Sequence, residues 1–230
     1  MLIDITLKIT PKMALDAQGN EKKALVGHLG THFDVMDKEF PLEYTRRQGI
    51  VFDVSRAAKE GREIGLEDVG LAAGPSAGTD ASASVGLSAG ADASASVELS
   101  ASVGIAAGRD AEPAIREGMF VAFFTGFIER EGYGSKAYFR EHPQLSKALI
   151  KELVRRKVSL IGVDFAGVRR GREHTPTDQY CADRGVFIIE NLCALGEVAA
   201  ASKDGRFTAH TYPMRYAEMT GLPCRVVAEV

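Results

Sequence analysis

The chain has 230 residues, a formal net charge of −3, 45% apolar residues and 26% charged residues. That length can bury a substantial core, and the near-neutral charge makes no electrostatic case for nucleic acid or an anionic membrane as partner. No apolar run approaches the roughly 20 residues that span a bilayer, the start lacks the basic and apolar regions of a signal peptide, and Cys181, Cys193 and Cys224 have no CxxC spacing, so a reducing cytoplasm without disulfides is expected.

Residues 2–9 alternate, with Ile3, Ile5, Leu7 and Ile9 on one face, which predicts a half-buried strand. "PKMALDAQGNEKK" reads as turn-rich, "RQGIVFDVS" as a strand, and "REIGLEDV" as a short strand or turn. Residues 72–111 are mostly Ala, Ser and Gly, and "DASASVGLSA" at 80–89 recurs as "DASASVELSA" at 92–101. Such small side chains offset little ordering entropy, so this is read as a low-complexity insertion in a single 1–230 domain, with a strand surviving near its end. "MFVAFFTGF" predicts a buried strand. "PQLSKALIKELVRRKV" has apolar residues at helical spacing after Pro143 and Ser146. "VSLIGVDFAGV" and "GVFIIENL" predict two more buried strands, "GREHTPTDQY" a polar loop between them, and Gly221-Leu222-Pro223 a turn before a terminal strand. The helix-then-strand succession points to a mixed α/β fold.

Two of the five histidines lie in "GHLGTHFDV". In an extended segment His28, Gly30, His32 and Asp34 share one face, and Gly30 leaves room for an ion between two imidazoles. Two imidazoles and a carboxylate suit a divalent ion such as zinc or manganese. The same residues also suit a solvated loop, or core histidines satisfied by backbone. A metal site needs a further ligand. Glu190, inside an apolar strand, is costly to bury unpaired; His174 and Asp178 lie in the polar loop. His142 is read as a surface residue and His210 as near the site or merely structural.

"HLGTHFD" resembles the start of the His-x-Gly-Thr-His-x-Asp-x-Pro-x-His signature of the cyclase family, which includes bacterial kynurenine formamidases and isatin hydrolases. "VAFFTGF" resembles that family's Thr-Gly-Trp strand, with Phe127 at the Trp position. "LIGVDFAGV" resembles its Ile-Gly-x-Asp strand, and "RGVFIIENLCAL" its Gly-Ile-x-Ile-x-Glu segment. The resemblance implies a swivelling β/β/α-type domain and a homo-oligomer, dimer or tetramer. It also implies one or two zinc or manganese ions and metal-dependent hydrolysis of an amide C–N bond in a small formamide, cyclic amide or imide. It places Glu190 on a metal-ligating glutamate.

Two positions depart from the signature. Met36 stands for its proline, and Lys38 for its third histidine, which the family associates with acid–base work. Lys38 could take that role only with its pKa lowered toward neutrality. The family's histidine about twelve residues before the glutamate aligns with Asp178, and His174 lies four residues earlier. The expected ligands are therefore His28, His32, Asp34, Asp178 and Glu190, with His174 as alternate to Asp178 and Lys38 as the catalytic proton carrier. Amide N–H groups near Gly30 and Thr31 are expected at the oxyanion. The alternative is a protein that keeps the metal site without catalysis, binding a small acid or acting as a structural oligomer.

Overall fold

Runs of consecutive apolar residues form strands buried on both faces, because alternate side chains serve two cores. In the computed structural model, which describes residues 1–17, 27–71 and 115–230, eight strands make one mixed sheet. They are β1 (Leu2–Asp4), β2 (His32–Asp34), β3 (Arg46–Asp53), β4 (Phe120–Phe124), β5 (Leu160–Val163), β6 (Phe187–Glu190), β7 (Arg206–Pro213) and β8 (Gly221–Glu229). Strands β3, β4, β5 and β6 run parallel side by side. Antiparallel β2 flanks β6, and antiparallel β7 flanks β3. Strand β8 pairs with both β7 and β2, which closes a seven-stranded, barrel-like ring, and β1 adds to the far half of β8. The single-domain α/β expectation holds.

One core is shared by all the strands of the ring, with Phe33, Val51, Phe120, Ala122, Leu160, Phe187, Ile189, Phe207 and Val226 in contact. The other lies between the sheet and the helices. There Val121, Phe123, Ile161 and Ile188 meet Leu149, Ile150 and Leu153. Gly162 makes room inside the ring core: a Cβ there would stand 2.4 Å from the Phe120 ring.

The helices are α1 (Pro11–Ala17), α2 (Ser55–Lys59), α3 (Phe127–Glu131), α4 (Lys136–Glu141), α5 (Lys147–Arg155), α6 (His174–Ala182) and α7 (Leu195–Ala201). The predicted helix is α5, opened by Ser146, whose hydroxyl accepts from the Leu149 N–H at 3.1 Å. Several expectations need correction. The first strand stops at Asp4, with an isolated bridge at Thr6, and Ile9 is exposed. The stretch read as turn-rich begins with α1, because Pro11 is tolerated in a first helical turn and Thr10 Oγ1 accepts from the Met13 N–H. "HTPTDQYCA" is helix α6 rather than loop, with Pro176 in its first turn. Gly221, Leu222 and Pro223 are strand residues opposite Asp34, Phe33 and His32, not a turn. Strand β7 and the short helices lacked a readable period. The 72–111 insertion, its surviving strand and the end of the turn-rich stretch lie outside the described residues. Among the described residues no helix is long and apolar enough to cross a membrane.

Candidate metal centre

The site forms where β6 ends and β2 begins. Antiparallel pairing sets His32 opposite Glu190 and His32 opposite Pro223 on the other side. His32, Asp34 and Glu190 are all buried. His28 Nε2 lies 3.0 Å from Asp34 Oδ1, and His32 Nε2 lies 3.6 Å from both Asp34 Oδ1 and Glu190 Oε2. The two imidazole rings meet edge to face with centroids 4.8 Å apart.

The extended-segment expectation is corrected in its first half. Gly30 has φ +72°, so His28 reaches the cluster through a turn. Gly30 does not serve as space between the imidazoles. A Cβ there would meet Ile9 Cδ1 at 2.5 Å, and the residue supplies the left-handed conformation. Its N–H donates to Tyr133 Oη at 3.1 Å, so that amide is engaged rather than open to an oxyanion.

The choice between Asp178 and His174 dissolves in helix α6. They sit one turn apart on the same face, and both point into the cluster. His174 Nε2 is 3.1 Å from Asp178 Oδ2 and 3.2 Å from Glu190 Oε1. Two groups of three result, His28–His32–Asp34 and Asp34–His174–Asp178, each with ligand atoms within 4.8 Å of one another and Asp34 common to both.

Crowding three carboxylates and three imidazoles in a buried space shifts their protons. Burial opposes the charged form of His32, but Asp34 and Glu190 outweigh it and raise its pKa to about 9. His174 behaves alike: burial is overcome by Asp178 and Glu190, which lift it to about 11. Burial and the charges of Asp34 and Glu190 push Asp178 up to about 7 against the pull of His174. Burial and Asp34 likewise raise Glu190. Asp34 goes the other way: burial is outweighed by His32 and His28, which hold it below the usual carboxylate range.

The donor set fits a divalent cation. His32 Nδ1–H donates to the Gly30 carbonyl at 2.8 Å, which turns Nε2 toward the carboxylates, where it offers a lone pair once its proton is displaced. His32 Nε2, Asp34 Oδ2 and Asp178 Oδ1 are buried without a hydrogen-bond partner among the described residues. Buried polar atoms with no partner are costly, and a cation displacing the His32 proton would satisfy them.

Residues not singled out in the sequence hold this arrangement. Asn191, at φ +59°, donates through Nδ2 to the Gly30 carbonyl at 2.8 Å and accepts from Tyr138 Oη at 2.7 Å. Thr31 Oγ1 donates to the Asn191 carbonyl and accepts from the Leu7 N–H. An asparagine after the strand glutamate was the available signal, since Asn tolerates left-handed backbone. Asp164 accepts from Thr125 N–H, Thr125 Oγ1–H and Gly126 N–H at 2.8, 2.5 and 2.7 Å, so it ties the end of β5 to that of β4.

Lys38 is held elsewhere. Its Nζ pairs with Asp183 Oδ1 at 2.9 Å and Asp37 Oδ2 at 3.0 Å, and these carboxylates raise its pKa, opposite to the lowering an acid–base lysine needs. Gln179 Nε2 donates to the same two carboxylates. His142, read as a surface residue, is buried and stacks on Phe165, with Nδ1–H donating to the Pro143 carbonyl. His210 pairs with Glu229 on the β7–β8 ladder.

Residues 3–169 match the Cyclase family model. Among solved structures, isatin hydrolase A from Labrenzia aggregata is similar over 99% of this chain and 93% of its own, at 17% identity and a TM-score of 0.62. Isatin hydrolase A from Ralstonia solanacearum is similar over 99% and 91%, at 14% identity and a TM-score of 0.62. A predicted metal-dependent hydrolase from Bacillus stearothermophilus is similar over 99% and 97%, at 18% identity and a TM-score of 0.61. These likenesses establish the shared fold. No curated protein matches the chain in sequence.

Proposed function

The chain belongs to the cyclase family, and from that premise we propose that it is a metal-dependent hydrolase cleaving an amide C–N bond in a small formamide, cyclic amide or imide. The observation that carries the reading is the cluster of His28, His32, Asp34, His174, Asp178 and Glu190, of which His32, Asp34, Asp178 and Glu190 are buried, with polar atoms that no protein group partners among the described residues. The fold shared with isatin hydrolases and a predicted metal-dependent hydrolase supports it.

We assign His28, His32, Asp34, Asp178 and Glu190 as ligands of one or two zinc or manganese ions, with His174 beside Asp178 as a sixth donor. When bound, such an ion polarises the scissile carbonyl and lowers the pKa of water toward neutrality. The chain's own residues do the rest. The Gly30 carbonyl fixes the His32 tautomer, and Asn191 clamps that carbonyl from the other side. Without the ion, His174 Nε2 bridges the Asp178 and Glu190 carboxylates and keeps them together. Family resemblance extends the proposal to a homo-oligomer, dimer or tetramer; the cysteine usage supports a cytoplasmic setting, and the composition supports one 1–230 domain around the 72–111 insertion.

The non-catalytic alternative draws on Lys38. Paired with two carboxylates and with its pKa raised, it does not offer the proton exchange of the histidine it replaces. Steady-state hydrolysis of a formamide, a lactam and a cyclic imide, with and without added manganese or zinc, separates the two. Metal-dependent turnover supports the hydrolase; stoichiometric metal with no turnover on any of the three supports the alternative.

A further inference from the structure

Cations collect at the opposite end of the sheet from the metal cluster, although the chain as a whole is acidic. A cleft of about 690 Å³ opens beside Gly118, Ser159 and Gly185, just before β4, β5 and β6 begin. Its walls carry Tyr44, Arg47, Lys151, Arg155, Tyr180 and Arg184. Gly185 and Glu190 are separated by the length of β6, roughly 16 Å of extended chain, so the cleft and the cluster are distinct sites.

Two of these cations are already partnered. Arg155 pairs with Glu152 at 2.7 Å, and Lys157, also on the wall, faces Glu117 at 3.8 Å. Arg47, Lys151 and Arg184 have no carboxylate partner among the described residues. Two of the three are held in place for an incoming group. The Arg47 guanidinium lies 4.6 Å from the Tyr44 ring centroid, and its Nε is buried without a hydrogen-bond partner among the described residues. The Arg184 guanidinium lies 4.0 Å from the Tyr180 ring centroid and donates to the Tyr180 carbonyl. Tyr44 Oη donates to the Gly185 carbonyl at 3.0 Å, which joins the two stacked pairs across the floor.

Stacking removes rotamer freedom from a guanidinium before any ligand arrives, and its planar fork then presents paired N–H groups to an oxyanion. The volume is that of a small-molecule pocket. Three unpaired positive charges in one concave space match a ligand of about three negative charges rather than a single carboxylate. We propose that this cleft is a second binding site, for a small polyanion carrying several phosphate or carboxylate groups.

Isothermal titration calorimetry of the full chain in metal-free buffer tests it, with inorganic triphosphate and citrate as separate probes. The expected result is one saturable site for at least one probe, weakened by added salt. Arg47→Gln and Arg184→Gln should each weaken binding about tenfold or more, while His32→Ala leaves it unchanged. Lys151 and Arg184 are exposed, so Lys151→Gln/Arg184→Gln retains the fold, as circular dichroism would verify, and should abolish binding. If triphosphate fills the cleft and citrate does not, the ligand class is phosphate; the reverse assigns carboxylate. Absence of saturable binding to both probes overturns the proposal. So does binding that His32→Ala abolishes and Arg184→Gln spares. A mixed-sequence oligonucleotide that binds more tightly than either probe, and depends on the same arginines, would replace the small polyanion with nucleic acid.

Discussion

His32 faces Glu190 directly across the β2–β6 ladder, with Nε2 3.6 Å from Oε2. Two chain segments more than 150 residues apart thus meet in one hydrogen-bonding register, and the register itself sets the spacing of these two side chains. His32→Ala removes an imidazole from the centre of this arrangement. Metal content after dialysis should fall, with affinity lower by about 100-fold or more, since even changes behind the ligands cost 10- to 100-fold. Wild-type protein that stays metal-free in manganese- or zinc-supplemented buffer would remove the basis of the site.

Helix α6 offers two donors one turn apart, so both should matter. Asp178→Asn and His174→Ala should each weaken metal binding, measured by competition with a chromogenic chelator. The Asp178 change should be larger, because that carboxylate is buried and carries an oxygen without a donor. An effect confined to His174 would show that Asp178 is not a ligand.

The metal-free protein should lose stability as pH rises. His32 and His174 have folded pKa values of about 9 and 11, above the ~6.5 of an unfolded chain. Their contribution is complete below pH 6.5 and is lost as pH passes through the folded values. Asp178, raised to about 7, has the same sign between pH 4 and 7. His142 has the opposite sign: burial lowers it to about 4, so its contribution is present above pH 6.5 and lost as pH falls toward 4. Thermal midpoints of metal-free protein should therefore decline from pH 6.5 to 9. Metal-loaded protein should resist that decline, because metal takes the place of the protons. A rising midpoint without metal would contradict the proton assignments.

Lys38→Met tests whether this lysine has inherited the missing histidine's work. Its two carboxylate partners hold it charged, so no ionisation displaced below ~10.4 should appear in the pH profile of turnover. The substitution should change turnover by less than about fivefold, within the range of a partly exposed ion pair. A loss of about 100-fold at unchanged metal content would restore Lys38 as the proton carrier.

Asn191→Ala should cost more than its distance in sequence from the histidines suggests. It strips the Gly30 carbonyl of one donor, leaves the buried Tyr138 hydroxyl without its acceptor, and puts alanine at φ +59°. A loss of about 2 kcal/mol in chemical denaturation is expected. Metal affinity should fall about tenfold, because the clamp on the His32 loop is gone. Unchanged affinity would mean that the loop holds its shape unaided.

The sequence carried some of this plainly. His28, His32 and Asp34 stand out by spacing, and Glu190 by its apolar neighbours. The parallel strands were readable because burial on both faces demands unbroken apolar runs. Helix α6 was hidden because "HTPTDQYCA" turns its polar residues inward, which erases the usual amphipathic pattern. That inversion is itself the mark of a helix packed on a polar centre. Tyr138 and Tyr133 were illegible for another reason, and Asn191 showed only its place after the glutamate: each acts through a hydrogen bond to a residue far along the chain. The outcome for Lys38 turned on Asp183, a partner that spacing alone does not reveal.

The closure of the ring depends on chain that is synthesised late. Strand β2 is three residues long and lies between β6 and β8, both of which come from the last fifth of the chain. During synthesis, His28, His32 and Asp34 therefore leave the ribosome long before anything exists to align them, with their strand's backbone donors still solvated. The metal cluster cannot nucleate folding in the way a local zinc finger does. Its donors run from residue 28 to residue 190, so the set is complete only after four-fifths of the chain has been made.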